Sequence, residues 1–140
     1  MPQRSMAEIV ARRNPVTLPA EASVQEACQI MREHRIGAIP VTDENGGLLG
    51  LFTGRDAVTR VLAEALDPRQ TQLSEVMTPR PDTLHPKARA IDALRLMQDG
   101  GFRHVPIAEG EKLVGIVSFA DFNGLERARL DEETGFWEIM

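Results

Sequence analysis

Apolar and polar positions along the chain predict a short series of elements that occurs twice. Val24, Ala27, Cys28 and Met31 fall at i, i+3, i+4 and i+7, the spacing of an amphipathic helix. Strand-like runs follow at residues 38–42 and 48–53, joined across an Asn-Gly turn, which is a strong hairpin signal. A short helix at residues 6–11 and a brief extended segment at 15–18 come before, and a helix over 54–65 comes after.

The second half of the chain repeats this order. Residues 15–18 return at 81–84 and residues 39–41 at 105–107, both 66 positions on, while residues 50–53 return at 115–118 with an offset of 65. The predicted elements are helices at 73–77, 89–98 and 119–129, an extended piece at 82–84, and strands at 103–108 and 112–118. Each repeat is therefore strand, helix, strand, strand, helix, which predicts an α/β or α+β layer architecture.

The repeats also predict the domain organisation. We expect the first repeat with its lead-in helix at residues 1–69, the second repeat at 70–130 and a C-terminal tail at 131–140. Half of a 140-residue chain is marginal as an independent fold. This predicts one compact module in which both halves share a core.

Composition excludes some functions and leaves others open. The net charge of −5 disfavours binding to nucleic acid or an anionic membrane, and Arg12-Arg13 is too short a basic group to change that. Cys28 is the single cysteine, so no internal disulfide forms, and its place on an apolar helix face favours a core role. No apolar run approaches the roughly 20 residues of a membrane span, and no secretory stretch begins the chain, so we expect a cytoplasmic protein.

Two aspartates, Asp56 and Asp121, are the candidates for chemistry. Each is predicted one turn into a helix that follows a strand, three positions after Thr53 or Ser118. A carboxylate accepts two hydrogen bonds from a ribose diol, and the hydroxyl suits a sugar or phosphate. The same spacing is also that of a helix cap, so spacing alone leaves both interpretations open.

Three features of the sequence resemble the CBS domain, named after cystathionine β-synthase. They are the order of elements, the apolar-Pro pairs at 39–40 and 105–106, and a motif in each repeat of Gly, two apolar residues, Thr or Ser, and an Asp three positions later. Val76-Met77-Thr78-Pro79 is similar to the opening of the second repeat in that family. The tandem copy resembles a CBS pair, or Bateman module, over about residues 5–130. The resemblance implies two repeats related by a pseudo-two-fold axis, with two clefts that bind AMP, ADP or ATP, or in some members S-adenosylmethionine or NAD(H).

The resemblance also implies the residues of the ligand sites. Arg103-His104 is similar to a phosphate-binding pair, whereas the first repeat has Gly37-Ala38 at that place, so the second cleft should favour a phosphorylated ligand. Arg55 is a further candidate for phosphate contact or, equally, a solvated residue at a helix start. On this view the apolar-Pro pairs and the two threonines of the extended segments contact the ligand. The alternative is structural, with prolines that interrupt an edge strand and threonines that favour strand conformation. The expected set is Thr17, Ala38, Ile39, Pro40, Thr53, Arg55, Asp56, Thr83, Arg103, His104, Val105, Pro106, Ser118 and Asp121.

The expected function is that of a stand-alone regulatory sensor, a homodimer that requires no cofactor and signals to an unidentified partner in trans. Against an enzyme, the three histidines lack metal-ligand spacing, and no Walker loop or dinucleotide-binding glycine motif is present. The alternative is a structural dimerisation module with empty or degenerate clefts. The aromatic pair Phe136-Trp137 in the tail suits docking on another subunit or packing on its own domain.

Overall fold

Each half of the chain forms a β-hairpin flanked by helices in the computed structural model of the protein, which describes residues 4–130. The tail with Phe136-Trp137 lies outside the described residues. In chain order the elements are α1 (Met6–Val10), α2 (Val24–His34), β1 (Ala38–Thr42), β2 (Leu48–Thr53), α3 (Gly54–Asp56) continued by a π-helix (Ala57–Leu62), α4 (Leu73–Val76), β3 (Thr78–Pro79), α5 (Ala90–Gly100), β4 (His104–Glu109), β5 (Lys112–Ser118), a 3₁₀ turn (Phe119–Asp121) and α6 (residues 124–130).

The first of two compact units, here the first-repeat unit, comprises residues 14–82 with 110–113. Its antiparallel sheet has the order β1-β2-β3, and Ile39 pairs with Phe52 in the hairpin. Ser23 caps α2 by accepting a hydrogen bond from the Glu26 amide at 3.1 Å, as its Ser-x-x-Glu sequence predicts. Its core is formed by Leu18, Ala22, Val24, Ala27, Met31, Ile39, Val41, Phe52, Val61, Leu73 and Val76.

The other unit, the second-repeat unit, comprises residues 4–13, 83–109 and 114–130. Strands β4 and β5 form its two-stranded sheet. The residue after α5 is Gly101, whose φ of 71° is the left-handed conformation common after helix ends. Its core is formed by Met6, Ile9, Val10, Ala90, Ala93, Leu94, Met97, Val105, Ile107, Val117, Phe122 and Leu130. The apolar face of α1 thus completes the core of the second repeat.

The first-repeat unit contains the hairpin β1-β2 and helix α4, which precedes the second repeat in the sequence. The second-repeat unit contains the hairpin β4-β5 and helix α1, which precedes the first repeat. Glycines at matching hairpin positions allow this close packing. A Cβ on Gly115 would lie 2.8 Å from the Val10 Cβ, and one on Gly50 would lie 2.9 Å from the carbonyl oxygen of Thr78. The single shared core predicted from chain length is therefore wrong. The structure has one core in each unit, because each unit takes in a helix from the other part of the sequence.

Strands β1, β2 and β5 coincide with the predicted residues, whereas the two helices that follow the hairpins differ. Beyond Asp56 the helix is of the π type, with the Ala63 amide bonded to the Val58 carbonyl at 2.9 Å. The Thr59 hydroxyl donates to the Arg55 carbonyl at 2.8 Å, a bond that competes with regular helix geometry. The continuous helix predicted over 119–129 is also wrong, because residues 122–123 interrupt it.

A local capping box explains that interruption. The Asn123 side chain accepts from the Glu126 amide at 2.9 Å, and the Glu126 carboxylate accepts from the Asn123 amide at 2.9 Å. These reciprocal bonds begin a new helix at residue 124. Within residues 4–130, no helix has the length and apolar character required to cross a bilayer.

The contact of Gly115 with α1 gives a first prediction. Gly115→Ala should lower the free energy of unfolding by about 1–3 kcal/mol, because the new methyl group overlaps the Val10 side chain. Urea unfolding followed by circular dichroism measures this. The matched control is Gly124→Ala, where no atom lies within 4 Å of the new Cβ and stability should be equal or up to about 1 kcal/mol higher. Equal unfolding midpoints for wild type and Gly115→Ala would contradict the close packing.

Candidate functional site

The extended segment of each repeat lies beside the first hairpin strand through one parallel bridge. The Leu18 amide donates to the Pro40 carbonyl at 3.2 Å, and the Leu84 amide donates to the Pro106 carbonyl at 3.1 Å. Thr17 precedes the first of these bridges and is exposed to solvent. Thr83 precedes the second bridge and is exposed as well. Both hydroxyl groups therefore lie at an accessible edge of their repeat.

The apolar-Pro pairs belong mainly to the cores. The side chains of Ile39 and Val105 are fully buried, Pro40 and Pro106 are buried beside them, and Ala38 is buried as well. The side chains of Ile39 and Val105 therefore belong to the cores, and ligand contact through their main chain stays a prediction.

A backbone hydrogen bond connects the start of the hairpin to the helix that follows it, in the same way in both repeats. The Gly54 amide donates to the Gly37 carbonyl at 3.0 Å, and the Phe119 amide donates to the Arg103 carbonyl at 2.9 Å. Residues 37–38 thus lie next to residues 53–54, and the Arg103-His104 pair lies next to Ser118. The structure brings the main candidates together within each repeat.

In the first repeat, Thr53 and Asp56 form a complete capping box. The Asp56 amide donates to Thr53 Oγ1 at 3.1 Å, and Asp56 Oδ2 accepts from the Thr53 amide at 3.0 Å. The other oxygen, Oδ1, lies 3.5 Å from Arg60 Nε, and Arg60 also donates to the Met77 carbonyl at 3.1 Å. Asp56 is only 8% exposed. The capping interpretation is thus realised here, and the exposed side chain of Arg55 begins the same helix.

In the second repeat, Ser118 and Asp121 form the corresponding box with a different counterion. Asp121 Oδ2 accepts from the Ser118 amide at 2.7 Å, and the Ser118 hydroxyl lies 3.4 Å from the same oxygen. Asp121 Oδ1 is 3.0 Å from Arg13 Nη1. Burial disfavours the charged carboxylate, but the bonds from Arg13 and Ser118 outweigh it and hold the pKa of Asp121 below its usual range.

Further arginines surround Asp121. Arg4 donates to the main-chain oxygen of Asp121 at 2.9 Å and binds both carboxylate oxygens of Glu126, at 3.0 and 2.6 Å. This fork holds the pKa of Glu126 below its usual range, chiefly through the hydrogen bond from Arg4 and against the effect of burial. Arg127 donates to the Phe119 carbonyl at 2.9 Å. The surroundings of Asp121 are therefore rich in guanidinium groups.

The predicted phosphate pair, Arg103 and His104, is connected to this cluster through Phe119. The Arg103 guanidinium is 4.7 Å from the centre of the Phe119 ring, and that of Arg127 is 4.3 Å from it. Burial lowers the pKa of His104, the positive charge of Arg103 lowers it further, and Asp121 opposes both. His104 is therefore a neutral imidazole at physiological pH.

Sequence reasoning missed three members of this cluster, namely Arg4, Arg13 and Arg127. In the sequence, Arg13 stands out only as part of the short basic pair with Arg12. No local pattern relates Arg13 to Asp121, since the two meet only because α1 packs in the second-repeat unit. Asn123 caps the helix that carries Arg127, four positions later. The Asn-x-x-Glu sequence of this cap is a local signal that could have placed Arg127 on a helix starting there.

Other reactive groups take no part in this arrangement. Among the residues that the structure describes, no group of three or more His, Cys, Asp or Glu side chains is placed to hold a metal ion. Cys28 packs against the core of the first-repeat unit, and burial raises the pKa of its thiol.

Comparison with known proteins identifies related sequences and a related structure. A family model described as CBS domain matches the chain twice, at residues 6–63 and 73–124. The CBS domain-containing protein YhcV of Bacillus subtilis is 39% identical over 105 residues, which cover 75% of this chain and 74% of that protein. The CBS domain-containing protein CBSCBSPB1 of Arabidopsis thaliana is 35% identical over 105 residues, or 75% of this chain. The chain spans only 19% of the length of that relative.

A solved structure matches over most of the chain. It is the CBS domain pair of protein MJ0100 in complex with 5′-methylthioadenosine and S-adenosyl-L-methionine. It superposes with a TM-score of 0.79 at 26% identity, covering 91% of this chain and 99% of that one.

The neutral state of His104 gives a second prediction. Because the pKa of His104 is lower in the folded protein than the value of about 6.5 in an unfolded chain, protonation favours unfolding. The contribution of His104 to stability should be fully present above pH of about 6.5 and decline as the pH falls towards the folded pKa. Urea unfolding at pH 8.0 and 5.5 measures the difference, which His104→Gln should reduce. A His104 imidazole that titrates above 6.5 by NMR would contradict the prediction.

Proposed function

The chain belongs to the CBS-domain family, with two repeats, and we propose that it is a regulatory module that binds adenine nucleotides, with the stronger site in the second repeat. Binding there changes its affinity for a partner protein that it regulates in trans. The observation that carries this proposal is the Ser118–Asp121 pair with Arg13 at 3.0 Å and with Arg103 and His104 beside it. Hydroxyl, carboxylate and guanidinium groups together suit a ribose phosphate.

The chemistry divides between the two ends of such a ligand. The Asp121 carboxylate accepts hydrogen bonds from the ribose diol, and charge-assisted bonds of this kind contribute about 1.5–3 kcal/mol each. Arg103 supplies a planar fork for the phosphate, and neutral His104 donates or accepts one hydrogen bond. The accessible Thr83 and the main chain at 105–106 lie in the same repeat and contribute the remaining contacts.

The first repeat supports a weaker or different site. Gly37 and Ala38 stand where the second repeat has its Arg-His pair, and Asp56 is buried and paired with Arg60. Thr17 and Thr53 suit a nucleoside, whereas Arg55 is a candidate for phosphate contact without an Arg-His pair beside it. We propose that this site does not select for phosphate.

The adenine part of the ligand is supported by the related structure of MJ0100, whose ligands 5′-methylthioadenosine and S-adenosyl-L-methionine are both adenosine derivatives. The charges of the second repeat favour AMP, ADP or ATP over these two, since its guanidinium groups attract anions. NAD(H) carries phosphates and is a further candidate. The module requires no cofactor and catalyses no reaction on this proposal.

A second function, a structural interaction module without ligand, rests on a specific observation. Asp56 and Asp121 each form a capping box, so each has a structural role that needs no nucleotide. The first repeat also lacks the Arg-His pair. Ligand binding by wild-type protein separates the two functions.

Nucleotide binding is the third prediction. Titration calorimetry with AMP, ADP, ATP, NADH and S-adenosylmethionine should show a phosphorylated ligand with a dissociation constant in the micromolar range, about −8.2 kcal/mol at 1 μM. Asp121→Asn should weaken that binding about 10- to 100-fold, because the neutral amide loses a charge-assisted bond. The matched control is Asp56→Asn, which removes the same charge from the first repeat and should change the phosphorylated ligand's affinity far less.

Two results would count against the sensor. Thermal unfolding of each variant shows whether the fold is intact, since an asparagine oxygen still accepts a capping hydrogen bond. Absence of binding by all five ligands to wild-type protein would favour the structural module. Equal losses in both variants would show that the second repeat is not the stronger site.

We also propose that the module is a homodimer through a stripe of exposed apolar residues. Val58, Leu62 and Leu66 follow one another at i, i+4 and i+8 and are 57%, 69% and 41% exposed. The π-helical turn, with more than four residues per turn, keeps Val58 and Leu62 close to one face. Leu66 lies just beyond the end of this helix, and exposed apolar residues close together in this way are typical of an interface.

Oligomeric state is the fourth prediction. Leu62→Glu should convert a dimer to a monomer in analytical ultracentrifugation at micromolar protein, because a carboxylate would be buried without a partner. The control is Leu49→Glu, another exposed leucine, on β2, which should leave the dimer intact. A monomeric wild-type protein, or a dimer that survives Leu62→Glu, would contradict this interface.

A further inference from the structure

Arg13 occupies the carboxylate oxygen that the proposed function reserves for a ligand. Its Nη1 is 3.0 Å from Asp121 Oδ1, and the side chain is 47% exposed. The other oxygen, Oδ2, already accepts the Ser118 amide at 2.7 Å and faces the Ser118 hydroxyl. A carboxylate that receives a ribose diol must therefore release Arg13 from Oδ1 or share that oxygen with it.

Arg13 can leave Asp121 without a change in the backbone. Its amide donates to the Val10 carbonyl at 3.1 Å, and Val10 is fixed against Gly115 in the core of the second-repeat unit. The half-exposed guanidinium extends from this fixed position and turns through its own side-chain torsions. The main-chain anchor also keeps Arg13 within reach of the site after release.

The neighbouring arginines are more firmly held. Arg4 binds Glu126 through two nitrogens and also donates to the Asp121 main chain. Arg127 stacks on Phe119 and donates to its carbonyl. Arg13 is therefore the guanidinium whose exchange breaks the fewest contacts in this cluster.

We propose that Arg13 exchanges Asp121 for the phosphate of the bound nucleotide, and so selects phosphorylated ligands at the second repeat. This rests on the proposed function of that site. A released guanidinium needs another anion, and a phosphate attached to the ribose on Asp121 is the nearest one that the ligand brings. An uncharged nucleoside would break the Arg13–Asp121 pair and offer Arg13 no other anion. A sulfonium ligand would bring a positive charge, which Arg13 repels.

The test compares AMP with adenosine in titration calorimetry of the full chain. Arg13→Gln should weaken AMP binding about 10-fold or more, the equivalent of about 1.4 kcal/mol. The same variant should leave adenosine binding equal or a few-fold tighter, because a competitor for Asp121 is gone. Arg12→Gln is the matched control, since it removes an identical charge one position away and should change both affinities less than about 3-fold.

Each other outcome overturns a defined statement. Tighter binding of both ligands by Arg13→Gln would show that Arg13 only blocks the site, and unchanged affinities would show that it has no part in binding. If wild-type protein binds neither AMP nor adenosine, the proposed nucleotide function fails and this inference fails with it. Arg13→Lys gives a further readout. The lysine ammonium is a point charge, so this variant should keep part of the preference for AMP and lose the part that comes from two parallel hydrogen bonds of the guanidinium.

Discussion

The reciprocal hydrogen bonds between a strand end and a carboxylate three residues later are the interaction on which both repeats depend. In each repeat, one oxygen of Asp56 or Asp121 accepts from the amide at the strand end, at 3.0 Å in the first and 2.7 Å in the second. The chain turns from strand to helix at this point, and the backbone bond to the start of the hairpin follows directly. The turn uses one oxygen and leaves the other for a cation or a ligand.

What differs between the repeats is the partner of that second oxygen. Asp56 faces Arg60, which follows it on the same helix and is also bonded to main-chain carbonyls. Asp121 faces Arg13, which is distant in sequence and half exposed. A counterion from the same helix is part of the local fold, whereas one from another segment can be exchanged. Duplication therefore preserved a turn geometry while the charge around it diverged.

The sequence was sufficient for the elements whose signals are local. Strand-like apolar runs and the Asn-Gly turn placed β1 and β2 at their observed residues, and Ser-x-x-Glu placed the cap of α2. The helices after the hairpins were less predictable, because Thr59 and Asn123 redirect hydrogen bonds through side chains that the apolar periodicity does not include. The set of residues around Asp121 needed tertiary information. An apolar stripe on α1 predicts that the helix packs, and it does not predict against which repeat.

The place of α1 is therefore also the origin of the charge asymmetry. Val10 can approach the second hairpin because residue 115 is a glycine, and that contact fixes the start of the segment that carries Arg13. Arg13 is the last residue of the second-repeat unit before the chain enters the first-repeat unit at residue 14. The pair of Arg13 with Asp121 therefore joins the end of this segment to the strand-to-helix turn of the second repeat, within one unit.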